Sequence, residues 1–290
     1  MSLIHLGPGA DLQAALDAAA PGSTLHLSPG VYRQKTRVRV PDLTLEGEGP
    51  DCTLLVYDDY AEKIHADGKP YNTFRTWTMA VLADGVTLRN LSIVNDAGSP
   101  ETRGQQVALG VLGDRFLMEH CRLSSTQDTL FCGPLPADLI ERYVGFLDDE
   151  LRVAGPFTQI FRDCLIEGTV DYIFGCGDAL FENCELRSVY DVRGCGYIAA
   201  PAHPLEDTQG FHFLRCRITA DSRVRPESIF LARPWRDYGL ARFEDCSCGP
   251  HIQPEGFDKW GDTSRDQTAR FFEAPAVSGR VPWINRQTRS

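Results

Sequence analysis

The sequence predicts an all-β solenoid, in which coils of short parallel strands stack behind a single N-terminal helix. Three observations carry this prediction. Helical periodicity vanishes after Ala19. β-rich runs then recur, separated by Gly, Asp, Asn and Pro. One position inside those runs is always apolar or small, as expected where equivalent residues pile up coil upon coil.

The first element is a short amphipathic helix over Asp11–Ala19. Asp11 can cap it, Leu12, Ala15 and Leu16 share one face, and Pro21-Gly22 ends it. The runs that follow resemble one another: VTLRNLSIVN from Val86, FLMEHCRLSS from Phe116, QIFRDCLIEG from Gln159, ALFENCELRS from Ala179, FHFLRCRITA from Phe211 and ARFEDCSCGP from Ala241. Each reads as strand, polar bend, small residue, strand. Leu91, Cys121, Cys164, Cys184, Cys216 and Cys246 take one equivalent position, and Cys164 and Cys184 are 20 residues apart, one solenoid turn. Stacked coils lie about 4.8 Å apart, so these six side chains form an inward ladder. Such a stack needs end caps. The helix supplies one, and the tail around Trp260, Phe271, Phe272 and Trp283 covers the other end or a flank.

A repeat-built chain of 290 residues is read as one domain, 1–290, with an inserted loop at 133–156 and a packing tail at 252–290. A formal charge of −11 excludes nucleic acid as a partner, because phosphate binding needs a basic face. No apolar run reaches the ~20 residues that span a bilayer, so no membrane association is expected. The ten cysteines include no CxxC pair and no zinc spacing, and read as free thiols in a reducing compartment. The start, Met1 to His5, has neither the charged nor the apolar region of a signal peptide. Together these give a cytoplasmic expectation, although a secreted protein stripped of its leader would look the same.

The chemistry begins with an offset. Seven residues beyond Cys121 lies Asp128, and seven beyond Cys164 lies Asp171. On adjacent coils these carboxylates sit side by side and cannot both ionise easily, which leaves one charged base or nucleophile and one neutral acid. The same offset from Cys184 reaches Asp191, read as a surface residue, so spacing alone leaves solvated turn aspartates as an alternative.

The surrounding motifs carry more. Gly104–Leu109 reads GQQVAL, Gln127–Leu130 reads QDTL, Gly168–Gly175 reads GTVDYIFG, Leu231–Trp235 reads LARPW and Thr73–Thr78 reads TFRTWT. The first four in this order, with TFRTWT upstream of them, resemble the pectin methylesterase (pectinesterase) family, from about Asp11 to about Ala269. The resemblance implies a single-stranded right-handed parallel β-helix and an enzyme that removes methyl esters from the galacturonate units of pectin or methylated oligogalacturonides. It implies Asp171 as nucleophile, Asp128 as acid and base, and Gln127 and Gln105 as oxyanion donors. Arg233 would pair with Asp171 and lower its pKa. Trp235 would form a sugar platform, with Thr78, Val170 and Phe174 lining the subsite. No cofactor and no metal are implied. The chain departs from the family at Gly110, Ala199, Thr158, Tyr172, Cys176 and Gly177, and after Phe271, where a tyrosine-rich pattern is absent.

Rival readings are a β-helix lyase or hydrolase acting on polygalacturonate, an inert carbohydrate-binding solenoid, and an esterase for another acyl group. A lyase would need an acidic calcium cage, and an inert solenoid would have lost its polar motif residues. Cys121 and Cys164 are 43 positions apart, more than twice one coil. The surplus opens at Gly133-Pro134-Leu135-Pro136 and closes at Gly155-Pro156, so it reads as an excursion that leaves the two aspartate coils adjacent. It carries Asp138, Glu141, Asp148, Asp149 and Glu150 against Arg142 and Arg152, and is expected to stand beside the cleft as an acidic wall that disfavours long demethylated chains.

Overall fold

The computed structural model describes residues 2–285. Three parallel sheets of ten, eight and seven strands run the length of the described chain. Each coil contributes one strand to each sheet in turn. For example, Phe116–Glu119 enters the ten-stranded sheet, Arg122–Ser124 the eight-stranded one and Leu130–Cys132 the seven-stranded one. The architecture is the parallel β-helix that the repeats predict.

The polar bend between the first two strands of a coil has one conformation throughout. Asn90, His120, Asp163, Asn183, Arg215 and Asp245 all have φ between 52° and 56°. This left-handed turn is tolerated best by Asn and Asp, and it aims the following residue inward. Leu91, Cys121, Cys164, Cys184 and Cys216 are accordingly at most 2% exposed. Cys246, on the last of these coils, is half-buried because little stacks beyond it. Beside this ladder Phe161, Phe181, Phe213 and Phe243 stack at ring-centroid spacings of 4.8, 4.7 and 4.5 Å, close to the strand separation itself.

Both ends are covered. The helix Leu12–Ala18 is capped by Asp11, whose Oδ1 accepts from the Ala14 N–H, and it buries Leu12 and Leu16 over the first coils. At the other end the strand Arg270–Ala274 completes the ten-stranded sheet, and Phe257, Phe271 and Trp283 pack together. Phe272 instead takes the Arg242 guanidinium on its ring. The last five residues of the tail lie outside the described part. No helix among the described residues is long and apolar enough to cross a membrane.

The excursion does not add a coil. Leu130, Phe131 and Cys132 pair directly with Ile173, Phe174 and Gly175. Residues 133–156 instead fold a helix, Ala137–Arg142, and a single 3-10 turn, Asp149–Leu151. Leu135, Leu139, Leu147 and Leu151 bury against Phe74, Trp77 and Phe131 on the outside of the seven-stranded sheet. The expected acidic wall does not form. Asp138 pairs with Arg236, Asp148 with Arg37, Glu150 with Arg37 and Arg39, and Asp149 with Arg152. Arg37, Arg39 and Arg236 come from outside the excursion, so local sequence counts the carboxylates and misses these counter-charges, while Arg152 is supplied by the excursion itself.

Candidate active site

The seven-stranded sheet brings the motif residues into a cleft of about 220 Å³. Coils follow one another across it. The Gln106 N–H donates to the Gln127 carbonyl at 3.0 Å, and the Asp128 N–H to the Val170 carbonyl at 3.1 Å. Gln105, Gln127, Asp128 and Asp171 therefore line up on three successive coils and all face the cleft. Asp128 and Asp171 have φ of 63° and 50°, a left-handed backbone that costs of order 1 kcal/mol or more and that their coil partners must hold in place. Gly168 makes room locally, since a Cβ there would meet the Tyr172 Cβ at 2.2 Å.

Arg233 stands two coils beyond Asp171 and reaches back over the coil between. Its Nε and Nη2 donate to the two Asp171 oxygens at 2.8 and 2.7 Å. The guanidinium is held between the rings of Tyr197 and Trp260, with its carbon 3.8 and 4.0 Å from their centroids. Each carboxylate oxygen keeps a further lone pair, so the pairing leaves Asp171 able to attack.

Both aspartates are at most 8% exposed. Burial pushes the Asp128 carboxyl well above its ordinary range, and the neighbouring Asp171 charge adds to this. Asp171 is raised as well, by burial, against the opposing pull of Arg233. The sequence-based expectation of a lowered Asp171 is thus corrected, because desolvation outweighs the ion pair. The asymmetry between the two survives. Asp128 lacks a cation of its own and is raised the further of the two.

A further pair holds Gln127. Arg193 Nη1 donates to the Gln127 Oε1 at 3.0 Å, while Nε and Nη2 clamp Asp191. With its oxygen taken by Arg193, the Gln127 amide lies beside Asp128 in the cleft, where its polarity opposes the rise of the Asp128 carboxyl. Asp191 is therefore no free surface residue. Its side chain is 4% exposed and supports the cleft through Arg193.

Of the expected sugar-contacting residues, Phe174 and Trp235 line the cleft, with ring centroids 5.7 Å apart. Thr78 and Val170 do not. Thr78 is fully buried and donates to the Val94 carbonyl at 2.8 Å, and Val170 lies within the sheet, accepting from Asp128. Thr73, Phe74, Ala200 and Trp260 take the vacant wall positions. Thr73 and Phe74 belong to the same motif as Thr78, so the motif pointed to the segment and not to the residue. Trp260 sits in the tail with φ of 72°, and no periodic signal marks it.

Comparisons with known proteins bear on the family and the fold. The sequence pattern of the pectinesterase family matches residues 10–134 and 147–286. Pectinesterase 31 of Arabidopsis thaliana is 30% identical over 96% of this chain and 83% of its own length. A pectin methylesterase solved in complex with a hexasaccharide superposes with a TM-score of 0.77 at 26% identity, covering 93% of this chain and 87% of that one. PemA of Erwinia chrysanthemi gives 0.77 at 25% identity, with 96% and 91% covered. The carrot pectin methylesterase gives 0.80 at 22% identity over 98% and 88%, a likeness of fold. These findings define a carboxylic ester hydrolase built on a parallel β-helix. The chain belongs to the pectinesterase family, and its reaction is the removal of methyl esters from pectin.

Proposed function

We propose that Asp171 is the nucleophile and Asp128 the acid and base of this de-esterification. The observation that carries the reading is the unequal environment of the two buried carboxylates, one clamped by Arg233 and one without a cation. A charged Asp171 oxygen attacks the C6 carbonyl of a methyl-esterified galacturonate, and negative charge grows on the carbonyl oxygen. The amide N–H groups of Gln127 and Gln105, both lining the cleft, receive it, a contact type worth about 3 kcal/mol in other acyl-transfer sites. As the bond to methoxide breaks, Asp128 gives it a proton and methanol leaves. The acyl group now forms an anhydride with Asp171. Asp128, ionised by that transfer, takes a proton from water, and the hydroxide attacks the anhydride. Galacturonate is released, Asp171 returns as carboxylate and Asp128 is protonated again.

The ligand we propose is a methyl-esterified stretch of oligogalacturonide or pectin lying across Trp235 and Phe174, in keeping with the hexasaccharide held by the solved relative. A cytoplasmic location is supported by ten unpaired cysteines, six of them buried as packing groups. Methanol release from methyl-esterified pectin tests the reaction. An unsaturated sugar end without methanol would overturn it in favour of a lyase.

A further inference from the structure

The family pattern matches on both sides of residues 135–146 and not across them. This gap falls in the excursion, whose helix Ala137–Arg142 forms one wall of a hollow of about 780 Å³. Chain segments 202–207 and 236–238 form the facing wall. Pro134, Leu135, Cys176 and Ala202 give it a buried apolar floor, and Ile140 and Tyr238 a more open apolar rim.

The hollow adjoins the cleft. Trp235 packs edge-on to Phe174 inside the cleft, and its ring also carries the Arg236 guanidinium, 4.6 Å from the centroid. Arg236 is in turn pinned to Asp138 of the excursion by hydrogen bonds of 3.1 and 2.8 Å. One tryptophan and one ion pair therefore separate the reacting position from the second cavity.

Its charges select among sugars. Asp138 is cancelled by Arg236 and Asp237 by Arg265. Glu206 and Asp207 have no ion-pair partner among the described residues. Arg270, the cation nearest Asp207, spends its guanidinium on the carbonyls of Pro204, Leu205, Asp207 and Tyr238. The crowding shows in Asp207, whose carboxyl is pushed up to about 6 by burial and by Asp178 and Glu206. A free galacturonate carboxylate entering here would lose water and meet a lining whose two arginines are already paired and whose unpaired charges are negative. Its methyl ester carries no charge and has a methyl group to place on the floor.

We infer that this hollow is a second sugar subsite, built by the excursion, that accepts methyl-esterified galacturonate and rejects the free acid. The inference rests on the pectin-esterase reading and adds to it a reason for the enzyme to work inside esterified blocks.

Excising the excursion would strip Phe74, Trp77 and Phe131 of their cover, so point variants serve better. Ala137→Trp fills the hollow from an exposed position, and Glu206→Lys, also exposed, replaces an unpaired anion with a cation. Methanol release by the full chain is measured on highly esterified polygalacturonate and on the same polymer randomly de-esterified. Ala137→Trp should lower kcat/KM on the highly esterified polymer about tenfold, with a much smaller loss on the other. Glu206→Lys should raise the ratio of de-esterified to esterified activity by about the same factor. If Ala137→Trp fails to fold, Glu206→Lys decides alone. Folded variants with the wild-type ratio would overturn the subsite. No methanol from the wild type on either polymer would instead overturn the esterase reading on which it rests.

Discussion

Replacing Arg233 by Met separates the two effects acting on Asp171. The ion pair is largely out of solvent, with side chains 19% and 9% exposed. Two charged hydrogen bonds, at 2.8 and 2.7 Å, are lost together. Hydrogen bonds to charged groups contribute roughly 1.5–3 kcal/mol each, and stripping one partner from a buried pair costs about 3–5 kcal/mol. The variant should therefore lose about 3–5 kcal/mol near neutral pH, with the exposed fifth of Arg233 favouring the lower figure. The loss must depend on pH in a definite sense. Burial already raises the folded Asp171 carboxyl above its ordinary value, so ionising it removes stability as pH rises through the folded pKa. Without Arg233 that pKa climbs further and the penalty grows. The gap between wild type and variant should be wide above the folded pKa of the variant and should narrow as pH falls through the folded pKa of the wild type, below which the carboxyl is protonated in both. The acid limb of kcat/KM should move to higher pH in the same variant. Arg233→Lys keeps the charge and loses the fork, so it should fall between the two. Denaturation midpoints across pH, together with pH–rate profiles, read this out. A stability gap equal at both ends, or an unmoved acid limb, would refute the pairing as the control on Asp171.

Further outcomes follow from the same geometry. Asp128→Asn should abolish turnover while leaving the melting temperature at neutral pH unchanged or higher. Its carboxyl is raised by burial, so the ionised form costs stability above the folded pKa and nothing below the unfolded one; a melting temperature lowered at neutral pH would contradict this. Thiol labelling of the native protein should reach Cys52, Cys195 and Cys248 first, and ten thiols should react after denaturation. Fewer than ten without a reductant would refute the free ladder. Exhaustive chelation should leave activity intact, because Asp171 already has both oxygens on a guanidinium, which is no setting for a hard cation. A loss restored by calcium would overturn that.

The fold was legible because each coil must solve the same packing problem. The left-handed bend demands Asn, Asp or a polar substitute, and the next residue must be small or apolar, so the repeat is written in the chain. The dyad was legible for a related reason: Asp128 and Asp171 keep a fixed offset from that repeat. What stayed hidden comes from contacts that break the period. Arg193 reaches Gln127 from 66 positions away, and Arg37 neutralises Asp148 across 111. Trp260 folds back from the tail onto Arg233. A motif names a segment, as with Thr73 to Thr78, but which side chain faces the cleft depends on the bend that follows it. The sign of the Asp171 shift was equally out of reach, since it depends on how much solvent the assembled coils exclude.

The central claim is tested most directly by methanol release from Asp171→Asn on methyl-esterified pectin, with circular dichroism to establish that the β-helix is intact. An amide of the same shape cannot form the acyl intermediate, so turnover should fall by about a thousandfold or more. A folded Asp171→Asn protein that releases methanol at a rate comparable to the wild type would contradict the aspartate nucleophile outright.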